Sequence, residues 1–462
     1  MKRISLLMIV AFIFISTNLF SQREVSPNHY CIYFKDKVGT PYSINKPQQF
    51  LSQKAIDRRT KYGIKVNNQD LPVNPQYVKQ IKELGFEILN TSKWLNCVIV
   101  YTKDKTLLEK VKNLPFVAED LIKYPKKDNI QTVKNDDFQK IEVKKEKLDK
   151  VYKYGKGKNQ IKMLNGDYLH KKGYKGKGMT IAVLDGGFYH VNTLPAFDSL
   201  WANNQILGWY DFVDCDTTVW DAATHGMMVL SIISSNIPGD FVGTAPKANY
   251  WLLRSENTAS EYVIEEYNWV CAAEFADSVG VDIIHSSLGY AEFDDDQDYT
   301  YENMDGNTAI STIGSDIAAS KGILLNTSAG NSGMGEWHYI SAPGDADSCL
   351  TIGACWRGGK NAGFSSNGPS YDNRVKPDVT AKGVFTTVQS SDGGYGKSFG
   401  TSLSGPVIAG LAACLWQAFP EKSNMEIIEA IQKSADQYTE PDGKRGYGLP
   451  DFQKAYYYLQ SH

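Results

Sequence analysis

Four polar residues in the last two thirds of this 462-residue chain have the types and settings that acyl transfer needs. Asp185 closes the apolar run Thr180-Ile-Ala-Val-Leu184, and Gly186-Gly187 behind it lets the backbone turn away sharply. His225 opens a helical stretch, with Gly226 leaving room beside the imidazole. Ser402 lies in Gly400-Thr401-Ser402-Leu403-Ser404-Gly405-Pro406 at the head of an apolar helix, where a hydroxyl can be exposed and its own N–H left free. Asn331, in Ala329-Gly330-Asn331, follows another apolar run and offers an amide donor. A serine hydroxyl is inert at neutral pH until a base takes its proton. A histidine does that when a buried carboxylate fixes its tautomer and supports the imidazolium. Donors must then meet the developing oxyanion, as the Ser402 N–H and the Asn331 amide can. Taken singly, Asp185 reads as a helix cap, His225 as a satisfied structural histidine and Ser402 as an N-cap. Only the set points to nucleophilic catalysis.

Groups so far apart in sequence have to be gathered by the fold. From about 159 onward strand and helix patterns alternate. Strands are expected at 180–184, 250–253, 281–288, 322–327 and 350–354, and helices at 225–233, 260–279, 308–320 and 402–416. Alternation of this kind predicts an α/β domain over 159–462, with a mostly parallel sheet covered by helices on both faces. Catalytic groups in such a sheet sit at the carboxyl ends of its strands. Residues 22–125 read instead as a small α+β unit. It has strands near 30–34, 86–89 and 95–101 and helices near 48–62, 76–84 and 105–113, the helices on one side of the sheet. Residues 126–158 hold 11 lysines and 6 acids with few large apolar side chains, the make-up of a solvated linker open to proteases.

Lys2 and Arg3 precede an apolar run from Ile4 to Ile15 that Ser16, Thr17 and Asn18 break, with small Ser21 as a cleavage position. This is a secretory signal over 1–21, too short for a membrane anchor, and it predicts export to an extracellular or periplasmic space with no stable membrane span after cleavage. With 42% hydrophobic and 22% charged residues the chain is globular, neither disordered nor multi-spanning. Its net charge of −3 hides a split: 30 basic and 16 acidic residues in 1–158, against 19 and 36 in the rest. The basic residues are spread over a small domain and linker rather than clustered, so a nucleic-acid partner is not expected. Two docked halves of opposite charge are.

Seven scattered cysteines lack any metal-binding spacing. Cys271, Cys355 and Cys414 read as small buried residues, and a Cys31–Cys97 disulfide is compatible with an oxidising compartment. His285 lies inside an apolar strand and reads as core. The acidic loop Asp294-Asp295-Asp296 with Asp298, Glu302 and Asp305 lacks EF-hand spacing and reads as solvated. No cofactor or metal is assigned, and structural calcium stays open.

The chain order Asp185, His225, Ser402 is the one found in subtilisins, and no GxSxG is centred on Ser402. Over about 160–455 the chain resembles subtilisin-like serine proteases (subtilases). The matching segments are Ile181-Ala-Val-Leu-Asp185-Gly-Gly, His225-Gly-Met-Met-Val, Ser328-Ala-Gly-Asn331-Ser-Gly and Gly400-Thr-Ser402-Leu-Ser-Gly-Pro. Gly243-Thr-Ala-Pro246, Ser287-Leu-Gly289, Phe364-Ser-Ser-Asn-Gly-Pro369 and Lys376-Pro-Asp-Val-Thr-Ala381 fall between them in family-like order. The resemblance implies a triad of Asp185, His225 and Ser402 with Asn331 as oxyanion donor. It also implies that Ser287, Leu288 and Gly289 pair with a substrate backbone, while Ala329 and Gly330 wall the specificity pocket. Gly187 stands where the family often has a hydroxyl residue, and Met228 where a second histidine is usual. The small N-terminal unit would be a prodomain that assists folding and blocks the site until the linker is cut. The implied function is a secreted, self-processing serine endopeptidase acting on peptides or proteins. The alternative is a catalytically inactive subtilase fold exported as a binding protein.

Overall fold

The computed structural model describes residues 22–118, 141–143, 146, 152–295 and 297–462. The expected signal sequence and most of the expected linker lie outside the described residues.

The N-terminal unit is an antiparallel sheet of β1 (Gln22–Ser26), β2 (His29–Tyr33), β3 (Glu87–Ser92) and β4 (Cys97–Tyr101), in the order β1-β2-β4-β3. Side chains alternate across a strand, so each strand serves two cores. Tyr30, Ile32, Val98 and Val100 meet Ile81, Leu107 and Val111 of the helices Pro75–Glu83 and Thr106–Lys112. Cys31, Tyr33, Cys97 and Ile99 face the other way and pack on the larger domain. Cys31 and Cys97 lie on adjacent strands, opposite Ile99 and Tyr33 respectively, and both are free thiols, as are the other five cysteines.

The larger domain is built on β5 (Thr180–Asp185), β6 (Ile206–Asp211), β9 (Asn249–Arg254), β10 (Ile283–Ser286), β11 (Leu324–Ser328), β12 (Cys349–Cys355) and β13 (Val379–Lys382), with β7 (Asn236–Ile237) pairing β8 (Phe241–Val242) and β14 (Thr386–Gln389) pairing β15 (Tyr395–Ser398) beside it. The seven-stranded sheet runs β13-β12-β11-β10-β5-β9-β6 and every neighbouring pair is parallel. Ile181 and Val183 enter one core with the helices His225–Ser234 and Gly405–Ala418. Ala182 and Leu184 enter the other with Ile264–Val279 and Ile310–Ser320. Both faces of the sheet are therefore covered, as the apolar strand runs require. Leu184 pairs with Ser286, and Ser286 with Thr327, so Asp185, Ser287 and Ser328 emerge side by side at one edge.

Some expectations shift. The edge strands β6 and β13 and the helices Asn424–Lys433 and Phe452–Ser461 lacked a clear sequence signal. The helix expected from 260 starts at Ile264. Residues 152–158, expected as the end of a solvated linker, are packed: the Tyr154 hydroxyl bonds His170 Nδ1 at 2.8 Å, and Gly155 bridges Phe241. The packed domain thus begins ahead of residue 159. No helix among the described residues is long and apolar enough to cross a membrane.

The helix Gln53–Lys61 lies at the boundary and grips the larger domain at the end of the Ile264–Val279 helix. Arg59 donates to both oxygens of Asp277, at 3.0 and 2.8 Å, and to Asp70 at 2.8 Å. Arg58 reaches the same Asp277 and the Lys321 carbonyl, Lys321 pairs with Asp70 at 3.2 Å, and Lys54 bonds Asp282 at 2.7 Å. Higher on the helix, Glu274 accepts the Lys93 and Trp94 N–H groups at 2.8 and 2.9 Å and the Ser92 hydroxyl. Burial alone would raise the Asp277 carboxyl, but the charges of Lys93, Arg58 and Arg59 hold it below its usual range. A depressed carboxylate stabilises above its unfolded pKa, about 3.9, and that stability is lost as pH falls through the folded value. Breaking a buried pair costs about 3–5 kcal/mol. Asp277→Ala is therefore expected to destabilise the full chain by that amount in denaturant unfolding near neutral pH, with a smaller effect as the pH falls below about 4. A loss under about 1 kcal/mol would show that the cluster behaves as a solvated one.

Candidate active site

The turn after β5 carries a carboxylate with no exposed surface. Asp185 Oδ1 accepts the Gly186 N–H at 2.8 Å, which sets the plane of the carboxylate. Its Oδ1 and Oδ2 lie 2.9 and 3.0 Å from His225 Nδ1. With Nδ1 donating to Asp185, Nε2 is left unprotonated on the side open to the cleft, where 34% of the His225 side chain is exposed. The approach is possible only because glycines surround it. A Cβ on Gly226 would sit 2.9 Å from the Asp185 Cβ and 2.4 Å from the Gly187 carbonyl. Gly187 itself has φ +148°, and a Cβ there would meet Ala222 and Ala223 at 2.5 Å. A side chain at this position has no room here, and the Gly186 N–H orients the carboxylate. Met228 is half-buried against the main core rather than facing the site.

Burial alone would lower the His225 pKa; the charge and hydrogen bond of Asp185, with the charge of Glu256, outweigh it and raise the group above its usual value.

Ser402 is 8% exposed and lies in a 3₁₀ turn, Thr401–Leu403, just ahead of the helix that sequence periodicity begins at 402. The Leu403 and Ser404 N–H groups are taken by Gly400 and Thr401, whereas the Ser402 N–H has no such partner among the described residues. Its hydroxyl donates to the Ser287 carbonyl at 3.3 Å, and the Ser287 hydroxyl donates to the Ser402 carbonyl at 3.0 Å. Catalytic hydrogen bonds are often unmade without substrate, and a rotation about one bond releases the Ser402 hydroxyl from Ser287. Asn331 faces solvent after β11, and its Oδ1 accepts from Thr401 N at 2.8 Å and Thr401 Oγ1 at 3.1 Å. Fixing the oxygen in this way turns the Nδ2 donor outward beside the serine. Thr401 was not singled out from the sequence, where it is one small polar residue in a glycine-rich turn.

Ser287 and Leu288 are nearly buried and Gly289 is exposed, and no backbone hydrogen bond from the Leu288 or Gly289 N–H occurs among the described residues. This is an open strand edge. Ala329 is fully buried, and the next residue, Gly330 (φ +99°), faces Ser366 and Ser341, whose hydroxyls would lie 2.8 and 3.1 Å from a Cβ. His285 is buried as expected, but it is also joined to the site: Nδ1 meets Asn326 Oδ1 at 2.7 Å and Nε2 meets the Ser287 hydroxyl at 2.9 Å. Its link to the serine turn became visible only with the fold. Of the acidic loop, Asp298 and Asp305 each accept a local backbone N–H, and Asp294 accepts that of Glu261. Asp296 lies outside the described residues. Among the described residues, the acids that converge are instead Glu256, Glu261 and Glu265.

The family model described as the subtilase family matches residues 176–448, and one described as a peptidase S8 propeptide domain of Bacteroidota matches 29–142. The chain is 29% identical over 280 residues to subtilisin E of Bacillus subtilis (strain 168), across 60% of this chain and 65% of that protein. It is 28% identical over 300 residues to a subtilisin of Bacillus pumilus, across 64% of this chain and 97% of that one. The match thus spans slightly less than two thirds of the length of subtilisin E. Two solved structures share the fold. MycP1 without its propeptide has a TM-score of 0.52 and 23% identity over 64% of this chain and 96% of that one. The prenylagaramide maturation protease PagA has a TM-score of 0.51 and 21% identity over 64% and 99%.

Two measurements test this geometry. In a histidine-resolved NMR titration of the full chain, His225 should titrate above the usual value of about 6.5. Asp185→Asn removes the main raising charge and leaves burial, so the variant should titrate below 6.5. Gly187→Ser should cost roughly 1–3 kcal/mol of stability, because the added Cβ has no space.

Proposed function

Because the chain belongs to the subtilase family, we propose that it is a serine endopeptidase, exported through its signal sequence and made as a zymogen that cleaves itself between about residues 120 and 160. The observation that carries this reading is the Asp185–His225 contact beside a serine turn whose neighbour Thr401 aims the Asn331 amide. His225 Nε2 takes the Ser402 proton as the hydroxyl attacks the scissile carbonyl. The Ser402 N–H and Asn331 Nδ2 hold the oxyanion. The imidazolium, supported by Asp185, then passes its proton to the leaving amine, and water releases the acyl group by the same steps in reverse. Ser287, Leu288 and Gly289 would receive the substrate backbone as an added strand, while Ala329 and Gly330 wall the pocket for the residue before the cut bond.

The N-terminal unit serves as intramolecular inhibitor. Its docking through Arg58, Arg59 and Lys54 to Asp277 and Asp282 supports that role, because these pairs do not depend on a continuous chain. They would hold the unit in place after the linker is cut. The competing reading is an inactive binding protein, and the one observation on its side is the Ser402 hydroxyl bonded to Ser287 rather than to His225.

Intact-mass and N-terminal analysis of wild type beside Ser402→Ala separates them. Loss of roughly the first 120 to 160 residues in wild type alone supports self-cleavage at this serine. Full-length chains in both, with no labelling of Ser402 by a serine-directed phosphonate, would favour the inactive reading. In an active preparation, Asn331→Ala should lower kcat by about 10²–10³, the range known for this donor in related enzymes, with KM little changed.

A further inference from the structure

The segment joining β9 to the Ile264–Val279 helix, together with the first turn of that helix, carries three carboxylates that take no part in the bond-making steps above. Glu256, Glu261 and Glu265 each place an oxygen within 4.8 Å of the other two. Glu265 is 1% exposed, and neither of its oxygens has a hydrogen-bond partner among the described residues. One oxygen of Glu256 and one of Glu261 are buried and unpartnered as well. Burying an unpaired carboxylate costs several kcal/mol, and crowding three together adds repulsion. Burial, with the repulsion of neighbouring acids, pushes Glu256 up to about 8, Glu261 to about 7 and Glu265 to about 10. Elsewhere the fold gives its buried acids partners: Asp277 has two arginines, and Glu266 accepts Ser311 N–H and hydroxyl bonds at 3.0 and 2.7 Å.

We propose that Glu256, Glu261 and Glu265 bind one hard divalent cation of the Ca²⁺ class in the wall of the cleft beside His225. Ca²⁺ takes oxygen ligands at about 2.3–2.6 Å, so ligands on opposite sides of the ion stand up to about 5 Å apart, which accommodates the observed spacing. A donor set of carboxylates without nitrogen or sulfur disfavours zinc or copper. The deep position of Glu265 decides against a basic side chain of a substrate, because an ammonium or guanidinium group would have to reach oxygens that have almost no open surface. A bare ion fits where those groups do not.

The site is also placed to matter. A Cβ on Gly186 would sit 2.6 Å from Thr258, so the segment carrying Glu256 lies against the turn that follows Asp185. Glu261 exchanges two hydrogen bonds with Asp294, its N–H to the carboxylate and its carbonyl to the N–H, at 2.9 and 2.8 Å. An ion held by all three glutamates ties the segment 255–263 to the first turn of the Ile264–Val279 helix, on which the N-terminal unit docks. Binding does not require Ser402 to be a nucleophile, so it stands or falls apart from the proposed activity.

The test uses the full chain as Ser402→Ala, stripped with a chelator and titrated with CaCl₂ by calorimetry. One ion per chain is expected, with affinity reduced roughly 10–100-fold in Glu265→Gln and in Glu261→Gln, since charge count sets affinity in such sites. Glu302→Gln, outside the group, should bind as the parent does. Thermal unfolding supplies a second readout that changes sign. Without Ca²⁺, Glu265→Gln should raise Tm, because at neutral pH the buried carboxyl must take up a proton on folding and the amide need not. With saturating Ca²⁺ it should lower Tm relative to the parent. If Glu265→Gln does not fold, the half-buried Glu256→Gln takes its place in both measurements. No binding at millimolar Ca²⁺, or binding unchanged in the glutamine variants, overturns the proposal.

Discussion

The larger domain is organised around a carboxylate that has been taken out of water. Asp185 has no exposed surface, and its partners are one backbone N–H and one imidazole. A buried charge of this kind is tolerable only when its partners are fixed, and that demand spreads outward. Gly186 must turn so that its N–H points back at the carboxylate, Gly187 must pass Ala222 and Ala223 without a side chain, and Gly226 must let His225 approach. β5 in turn has to lie in the interior of the sheet, between β10 and β9, for its end to be enclosed. The parallel register then brings Ser287 and the β11 exit to the same level, and the serine turn closes against them.

A second constraint governs how the two units meet. The Ile264–Val279 helix is buried on nearly every side, although it contains Glu266, Asn268, Glu274 and Asp277. An isolated domain would pay heavily for that. The N-terminal unit supplies the missing partners: Asn90 for Asn268, Lys93 and Trp94 for Glu274, and Arg58 and Arg59 for Asp277. The opposite net charges of the two halves are thus converted into specific buried bonds, few of which are exposed enough to be screened by salt. The helix Gln53–Lys61 is the clearest case. By periodicity it belongs to the small unit, and in space it belongs to the interface.

Much of the molecule was legible beforehand. The strands that form the centre of the sheet are short apolar runs buried on both faces, a pattern that local sequence states directly. The edges were harder, because β6 is half-open and the short, buried β13 mixes polar with apolar residues. Asp185, His225, Ser402 and Asn331 could be singled out as candidates because each carries its own local surroundings, a strand end, a glycine or a helix start. Thr401, His285 and Glu256 were not. Thr401 acts by holding the oxygen of Asn331, 70 positions away, and His285 by meeting Ser287 and Asn326. Neither role leaves a trace in the neighbouring residues.

Composition, periodicity and the order of motifs therefore determined the class of fold, the division into a basic and an acidic half, and the residue types available for chemistry. These properties are local, or sum over local choices. Tertiary structure alone decided which charges have partners. Asp277 and Glu265 lie on one helix, and each follows an apolar residue and precedes a polar one. One meets two arginines from the N-terminal unit and is held ionised, while the other meets two further glutamates and no cation among the described residues. Electrostatic energy in a dry interior depends on distances of a few ångströms, and only the folded chain sets those.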